Sequence, residues 1–272
     1  MTTSTSKIII NADDIGMHPS IDAAVTSLCE SGIVTSASVM ALARPERASI
    51  ARMASLGVDL GLHLDFTSAM ANRQYRTDRT VASTIVACWS GRISLAQARA
   101  VVRDQLERFG ELTGRAPAFV DGHEHVHQFP VIRHALLDVL AEQPGPRIYI
   151  RSTRPLRWRG IKAEVIGRLG AGQMNRMARH AGHRCNDDFF GVYNLNDDTD
   201  LAPLWQRWLA CVPARGALAM CHPAGCDNTR SAGELRQRLR EFRFLASAQF
   251  RDMLAQNGVV PAGWSTTLPA HG

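Results

Sequence analysis

Residues 7–14 read Lys7-Ile-Ile-Ile-Asn-Ala-Asp-Asp14, in which Lys7–Ala12 is an apolar run rich in β-branched residues and two carboxylates follow it. A strand without polar alternation is one covered on both faces, and such strands belong to parallel sheets flanked by helices. The remainder of the chain repeats that plan. A helix is expected over 19–31, with Pro19 in its first turn and Gly32 at its end. A strand over 33–41, a helix over 45–56 and a strand over 58–66 follow. Residues 67–93 read as a polar, irregular loop insertion. Ser94 opens a long helix with Leu95, Ala98, Val102, Leu106 and Phe109 on one face, closing at Gly114. Beyond it come a strand over 118–122, a helix over 130–142, a strand over 147–151 and a poorly patterned helical stretch over 160–182. Strands near 189–193, 216–221 and 258–264 alternate with helices near 200–210 and 233–257. Alternating strands and helices imply a parallel α/β sheet, either open and doubly wound or closed as a barrel. In both, the site lies at the C-terminal ends of the strands.

Bulk properties narrow the function class. The 272 residues, 45% of them hydrophobic, suit one α/β barrel, so a single domain over 1–272 is expected. No apolar stretch approaches the roughly 20 residues of a membrane helix. Residues 1–6 are polar and lack a signal-peptide core, so a cytoplasmic location is expected. The formal charge of +6 does not point to nucleic acid, because its arginines are dispersed among acidic residues, as in Arg236-Gln-Arg-Leu-Arg-Glu241. One basic cluster, Arg147, Arg151, Arg154, Arg157 and Arg159, is a candidate for contact with an anionic group. The six cysteines form no CxxC pair, which reads as reduced thiols and not as a disulfide framework or a zinc finger.

Four clusters carry chemistry, and each falls where a strand ends. Asp13-Asp14 follows the first strand, and side-chain alternation forbids both from pointing inward unless the strand breaks. Alone, the pair is more often a turn or helix cap. His63, within Gly61-Leu-His-Leu-Asp65, is alone more often a hydrogen-bonded core residue. Asp121-Gly-His-Glu-His-Val-His127 is the strongest signal, because imidazole and carboxylate together suit a borderline divalent cation. If that segment stays extended, Asp121, His123, His125 and His127 share one face, and residue chemistry alone does not choose between His123 and His125. His222, after the strand at 216–221, is placed for acid–base work. Neighbouring Cys221 is a candidate nucleophile, weighed against a buried thiol.

Together these motifs resemble the YdjC-like carbohydrate deacetylases. The resemblance runs from Ile8 to about Trp264 and rests on Asn11-Ala-Asp-Asp-Ile-Gly16, Gly32-Ile-Val-Thr-Ser-Ala-Ser-Val-Met40 and Gly61-Leu-His-Leu64. Asp121-Gly-His-Glu-His-Val-His-Gln-Phe-Pro130, Cys221-His-Pro223, Arg240-Glu241 and residues 245–250 extend it. It implies a distorted TIM-like (β/α) barrel holding one divalent metal ion, with Asp14, His63 and His123 as ligands. Magnesium is the family expectation, and zinc or manganese are alternatives. Asp13 is then the general base and His222 the general acid. Asp121, His125, Arg151 and Asp227 are read as substrate-binding or supporting residues, with His127 beside them. The implied substrate is an N-acetylated amino sugar, as monosaccharide, oligosaccharide or glycolipid, with a homodimer as the default assembly. Ile15, Asp65-Phe66 and Ala224 depart from the family pattern and bear on substrate choice. The rival readings are a catalytically silent sugar-binding relative and another metal hydrolase such as a phosphoesterase.

Overall fold

The computed structural model describes residues 5–43, 45–194, 199–214, 216–226 and 232–268, with backbone alone for 232–235. In chain order the elements begin with β1 (Ser6–Ile15), α1 (Pro19–Glu30), β2 (Ser36–Val39), α2 (Arg47–Ser55) and β3 (Asp59–Leu64). Next come α3 (Ala69–Tyr75), α4 (Val81–Trp89), α5 (Leu95–Thr113), β4 (Phe119–Gly122), α6 (Pro130–Glu142) and β5 (Tyr149–Ile150). The second half holds α7 (Ile161–Ile166), α8 (Gly172–His180), β6 (Arg184–Cys185), β7 (Asp188–Phe190), α9 (Leu201–Leu209) and β8 (Ala217–Cys221). It closes with α10 (Ala232–Leu245), α11 (Ala248–Gln256), β9 (Val259–Pro261) and α12 (Trp264–Thr267).

All strand pairings are parallel, in the order β6-β5-β4-β3-β2-β1-β8-β7, with β9 beside the first residues of β1. The sheet curls into a distorted (β/α) barrel whose seam lies between β6 and β7. Asn186 spans that seam, accepting from the Ser152 backbone N–H and donating to the carbonyls of Ser152 and Asp188.

Alternation along β1 sorts its side chains between two cores. Ile8, Ile10 and Ala12 pack outward into the large core under the helices. Ile9 points inward and meets Phe119, Phe189, Leu218, Met220 and Trp264. Trp264 stacks on Phe119 at 5.0 Å between centroids and plugs the interior. Gly61 makes this possible, since a Cβ there would lie 2.4 Å from the Phe119 ring. Asn11 and Asp13 continue the inward face, so the barrel turns from apolar to polar as it approaches the C-terminal strand ends.

Several expectations are corrected. Residues 67–93 are not an irregular loop, for they hold α3, capped by Ser68, and α4, opened by a Thr80–Ser83 capping box. Short capped helices carry too few turns to show a clear apolar period. The helix expected over 233–257 is two, because Ser247 caps a fresh start at α11. The stretch 160–182 breaks into α7 and α8 around Gly170, which sits at φ +121°. Strand β6 had no sequence signal. Among the described residues, no helix is long and apolar enough to cross a membrane.

Candidate functional site

The two carboxylates after β1 reach one site through a bulge. The β1–β2 register shifts between Ala12 and Ile15, and Asp14 adopts a left-handed backbone at φ 70°. An extra residue at a bulge breaks the alternation, so Asp13 and Asp14 both face the barrel mouth. His63 comes from the inner face of β3, in register with Asp121 of β4.

The segment after Asp121 does not stay extended. Residues His123–Gln128 form a tight turn in which Glu124 and His125 are left-handed, at φ 51° and 60°. The expected shared face of Asp121, His123, His125 and His127 is therefore absent. His123 alone swings towards Asp14, with Nδ1 3.1 Å from Oδ1. His125 lies edge-on to Phe189, its ring centre 5.9 Å away. His127 turns back and its Nε2 lies 3.0 Å from the Arg151 carbonyl.

One grouping gathers the donor atoms of Asp14, His63 and His123 within 4.8 Å of one another. His63 Nδ1 is 2.7 Å from Asp121 Oδ1, which turns Nε2 to within 3.5 Å of Asp14 Oδ1. A carboxylate behind an imidazole fixes its tautomer and leaves the opposite nitrogen lone pair facing the site. Burial pulls the His63 pKa down, but Asp121 and Asp14 carry it up to about 10. Burial likewise opposes charge on Asp14, yet Arg238, His123 and His63 hold it well below the usual carboxylate range. Two imidazoles compete for one carboxylate oxygen, and this set of one oxygen and two nitrogen donors fits a divalent cation.

A second grouping, Asp13, His63 and Asp121, is occupied by an internal cation. Arg151 is fully buried, and its guanidinium donates to both Asp13 oxygens, at 2.5 and 2.7 Å, and pairs with Asp121. Arg151 thus stands beneath the site. Arg159 of the same basic cluster pairs with Asp188. Both partners are carboxylates of this chain, so these two arginines are not open to an external anion.

Polar contacts tie this floor to the barrel plug. Trp264 Nε1 donates to Ser36, which donates to Asn11, and Asn11 donates to Asp13 and to Ser38. Ser38 in turn donates to Asp121 at 2.6 Å.

His222 follows β8, with Nε2 3.9 Å from Asp13 Oδ2. Burial lowers its pKa to about 4 against the pull of Asp13, so the resting imidazole is neutral. Its backbone N–H donates to Glu241 at 2.6 Å, and burial raises that carboxyl to about 7. Cys221 is buried, its thiol pushed well above the usual range by burial and by Glu241, which excludes it as a resting nucleophile. Asp227 lies outside the described residues.

The sequence reading gave no role to Arg238 or Glu241: residue chemistry took 236–241 as dispersed surface charge, and Arg240-Glu241 entered only as part of the family pattern. Arg238 and Glu241 are both buried, and Arg238 Nη2 donates to Asp14 Oδ2 at 2.6 Å. The available signal was spacing, since 238, 241 and 245 fall on one helical face with Leu245 at its end.

Comparisons with known proteins agree with this architecture. A family model described as YdjC-like protein matches residues 7–256. A carbohydrate deacetylase of Mus musculus is 30% identical, covering 93% of this chain and 92% of its own. A chitooligosaccharide deacetylase of Escherichia fergusonii is 28% identical, covering 92% and 95%. A crystal structure from Enterococcus faecalis, named for cellobiose-phosphate cleavage, superposes with a TM-score of 0.73 over 97% of this chain and 100% of that one. At 18% identity it shows the shared fold. With its family model spanning nearly the whole barrel, this chain belongs to the YdjC-like protein family.

Proposed function

We propose that this protein is a carbohydrate deacetylase, a hydrolase that removes the acetyl group from an N-acetylated amino sugar with the help of one divalent metal ion. The observation that carries the reading is the convergence of Asp14, His63 and His123 from three strand ends, with Asp13 and His222 3.9 Å apart beside them. The activities for which the mouse and Escherichia fergusonii relatives are named support the substrate class.

Asp14, His63 and His123 would hold the ion. A divalent ion in such a site acidifies a water and polarises the acetyl carbonyl. Asp13 is the base. Its carboxylate is kept ionised by Arg151, against the cost of burial, and it takes up the proton released when water attacks the amide carbon. His222 is the acid. Its ring receives that proton across the gap to Asp13 and delivers it to the departing amine, so acetate and a free amino sugar result. Asp121 orients His63 and Arg151 orients Asp13, so the two halves of the site share one floor. Magnesium is the expected ion, with zinc favoured on ligand preference and manganese a further alternative.

Acetate release from a panel of N-acetylated sugars, with metal content measured on the same sample, tests this reading. One ion per chain and metal-dependent acetate release are expected. Binding of those sugars without release would favour a silent binding relative. Two or more ions per chain with release of phosphate from phosphate esters would favour a phosphoesterase.

A further inference from the structure

Large apolar side chains on the surface are concentrated in one place. Of nine such exposed residues among those described, Leu156, Trp158, Ile161 and Val165 fall within ten positions, at 59, 72, 78 and 50% exposure. Ile161 and Val165 are one turn apart on α7 and share its outward face, while Ala163 is buried. A solvated helix presents the opposite pattern. Basic residues are interleaved with them. Arg154, Arg157, Lys162 and Arg168 are exposed, and the one acid between 154 and 168 is Glu164, 3.8 Å from Arg168.

The segment is held in this orientation. The Leu156 N–H and the Arg159 guanidinium both bind Asp188, Arg159 lies 4.2 Å over the Phe190 ring, and Lys162 donates to the Tyr193 carbonyl. It also leaves the sheet directly after the C-terminal end of β5, past Arg151, whose guanidinium touches Asp13. The patch therefore rises from the barrel edge that carries the site.

We propose that residues 154–168 form a docking surface for an anionic lipid bilayer, seating the C-terminal edge of the barrel on the membrane without spanning it. Exposed Trp, Leu and Ile side chains beside Arg and Lys match the chemistry of the interface, where the apolar groups enter the acyl boundary and the cations meet phosphates. Charge argues against a second copy of this chain. A two-fold contact through the patch would set four cations against the same four cations. The proposal is independent of the deacetylase reading.

Co-sedimentation of the full chain with phosphatidylcholine vesicles, with and without phosphatidylglycerol, tests it. The protein is expected to pellet with the anionic vesicles alone, and to be released by salt. The Trp158→Ser/Ile161→Ser variant should lose vesicle binding by roughly tenfold or more. Arg154→Gln/Arg157→Gln should weaken it by about fivefold per charge. Unchanged melting temperatures, and unchanged acetate release from a soluble N-acetylated sugar, would show that the variants fold and that the two readings separate. Failure of the unaltered protein to pellet, equal pelleting of the Trp158/Ile161 variant, or a dimer in solution that this variant dissociates would each overturn the proposal.

Discussion

Nδ1 of His63 and Oδ1 of Asp121 lie 2.7 Å apart on neighbouring strands β3 and β4, paired residue to residue across the sheet. The contact makes the orientation of the imidazole a property of the sheet register. Asp121 also pairs with Arg151 and accepts from Ser38, so it is itself held on three sides. Asp121→Asn should keep the fold and weaken metal binding about 10–100-fold. Chelator competition on the purified protein measures this, and unchanged affinity would detach Asp121 from the metal site.

Asp13→Asn should reduce turnover by about 100-fold or more while the ion stays bound, because the proposed base is lost and the proposed ligands are intact. His123→Ala should lose both. Metal content and acetate release on the same preparations check the pair, and full activity in Asp13→Asn would remove Asp13 from the base role.

The metal-free protein should lose stability as pH rises. His63 has its folded pKa raised from 6.5 to about 10, so the stability gained from its protonation is fully present below 6.5 and is lost as pH passes 10. An ion held by His63 as proposed would replace that proton, so metal affinity should strengthen over the same window. Thermal melts in chelator and in excess metal at pH 6, 8 and 10 should diverge with pH. Parallel curves would contradict the shared use of His63.

Glu241→Gln isolates the carboxyl beneath His222. Burial raises its folded pKa from 4.5 to about 7, so the folded state binds its proton more tightly and stability falls as pH climbs from 4.5 through 7. Gln keeps an oxygen for the His222 N–H and has no charge to bury. The substitution should remove a loss of about 3 kcal/mol across that window, read by urea unfolding at pH 4.5 and 7.5. The pH–activity profile of the variant should shift too if Glu241 positions His222.

How far the site was legible depended on distance along the chain. Asp13-Asp14, His63, the 121–127 cluster and His222 were readable as candidates because each lies where an apolar run ends, and strand ends are where an α/β barrel builds its mouth. The choice of His123 over His125 came from the family resemblance. Arg238 was hidden because its partner, Asp14, is 224 residues away and its neighbours are ordinary charged helix residues. Helix α3 was hidden because AMANRQY is short and mostly polar, and α4 because its apolar run VASTIVACW is too short for a helical period to stand out.

By itself, the sequence determined the alternating α/β plan and the four chemical clusters, since the burial period of strands and helices is written locally in residue type. Only the tertiary structure decided which groups face one another. Regular alternation would have sent Asp13 and Asp14 to opposite faces and aligned His123 with His125 and His127. A bulge in β1 and two left-handed residues after β4 instead bring Asp14 and His123 together and turn His125 and His127 elsewhere. Such breaks are set by the packing of the whole barrel mouth, where a buried carboxylate must find its cations. No local pattern of residues encodes them.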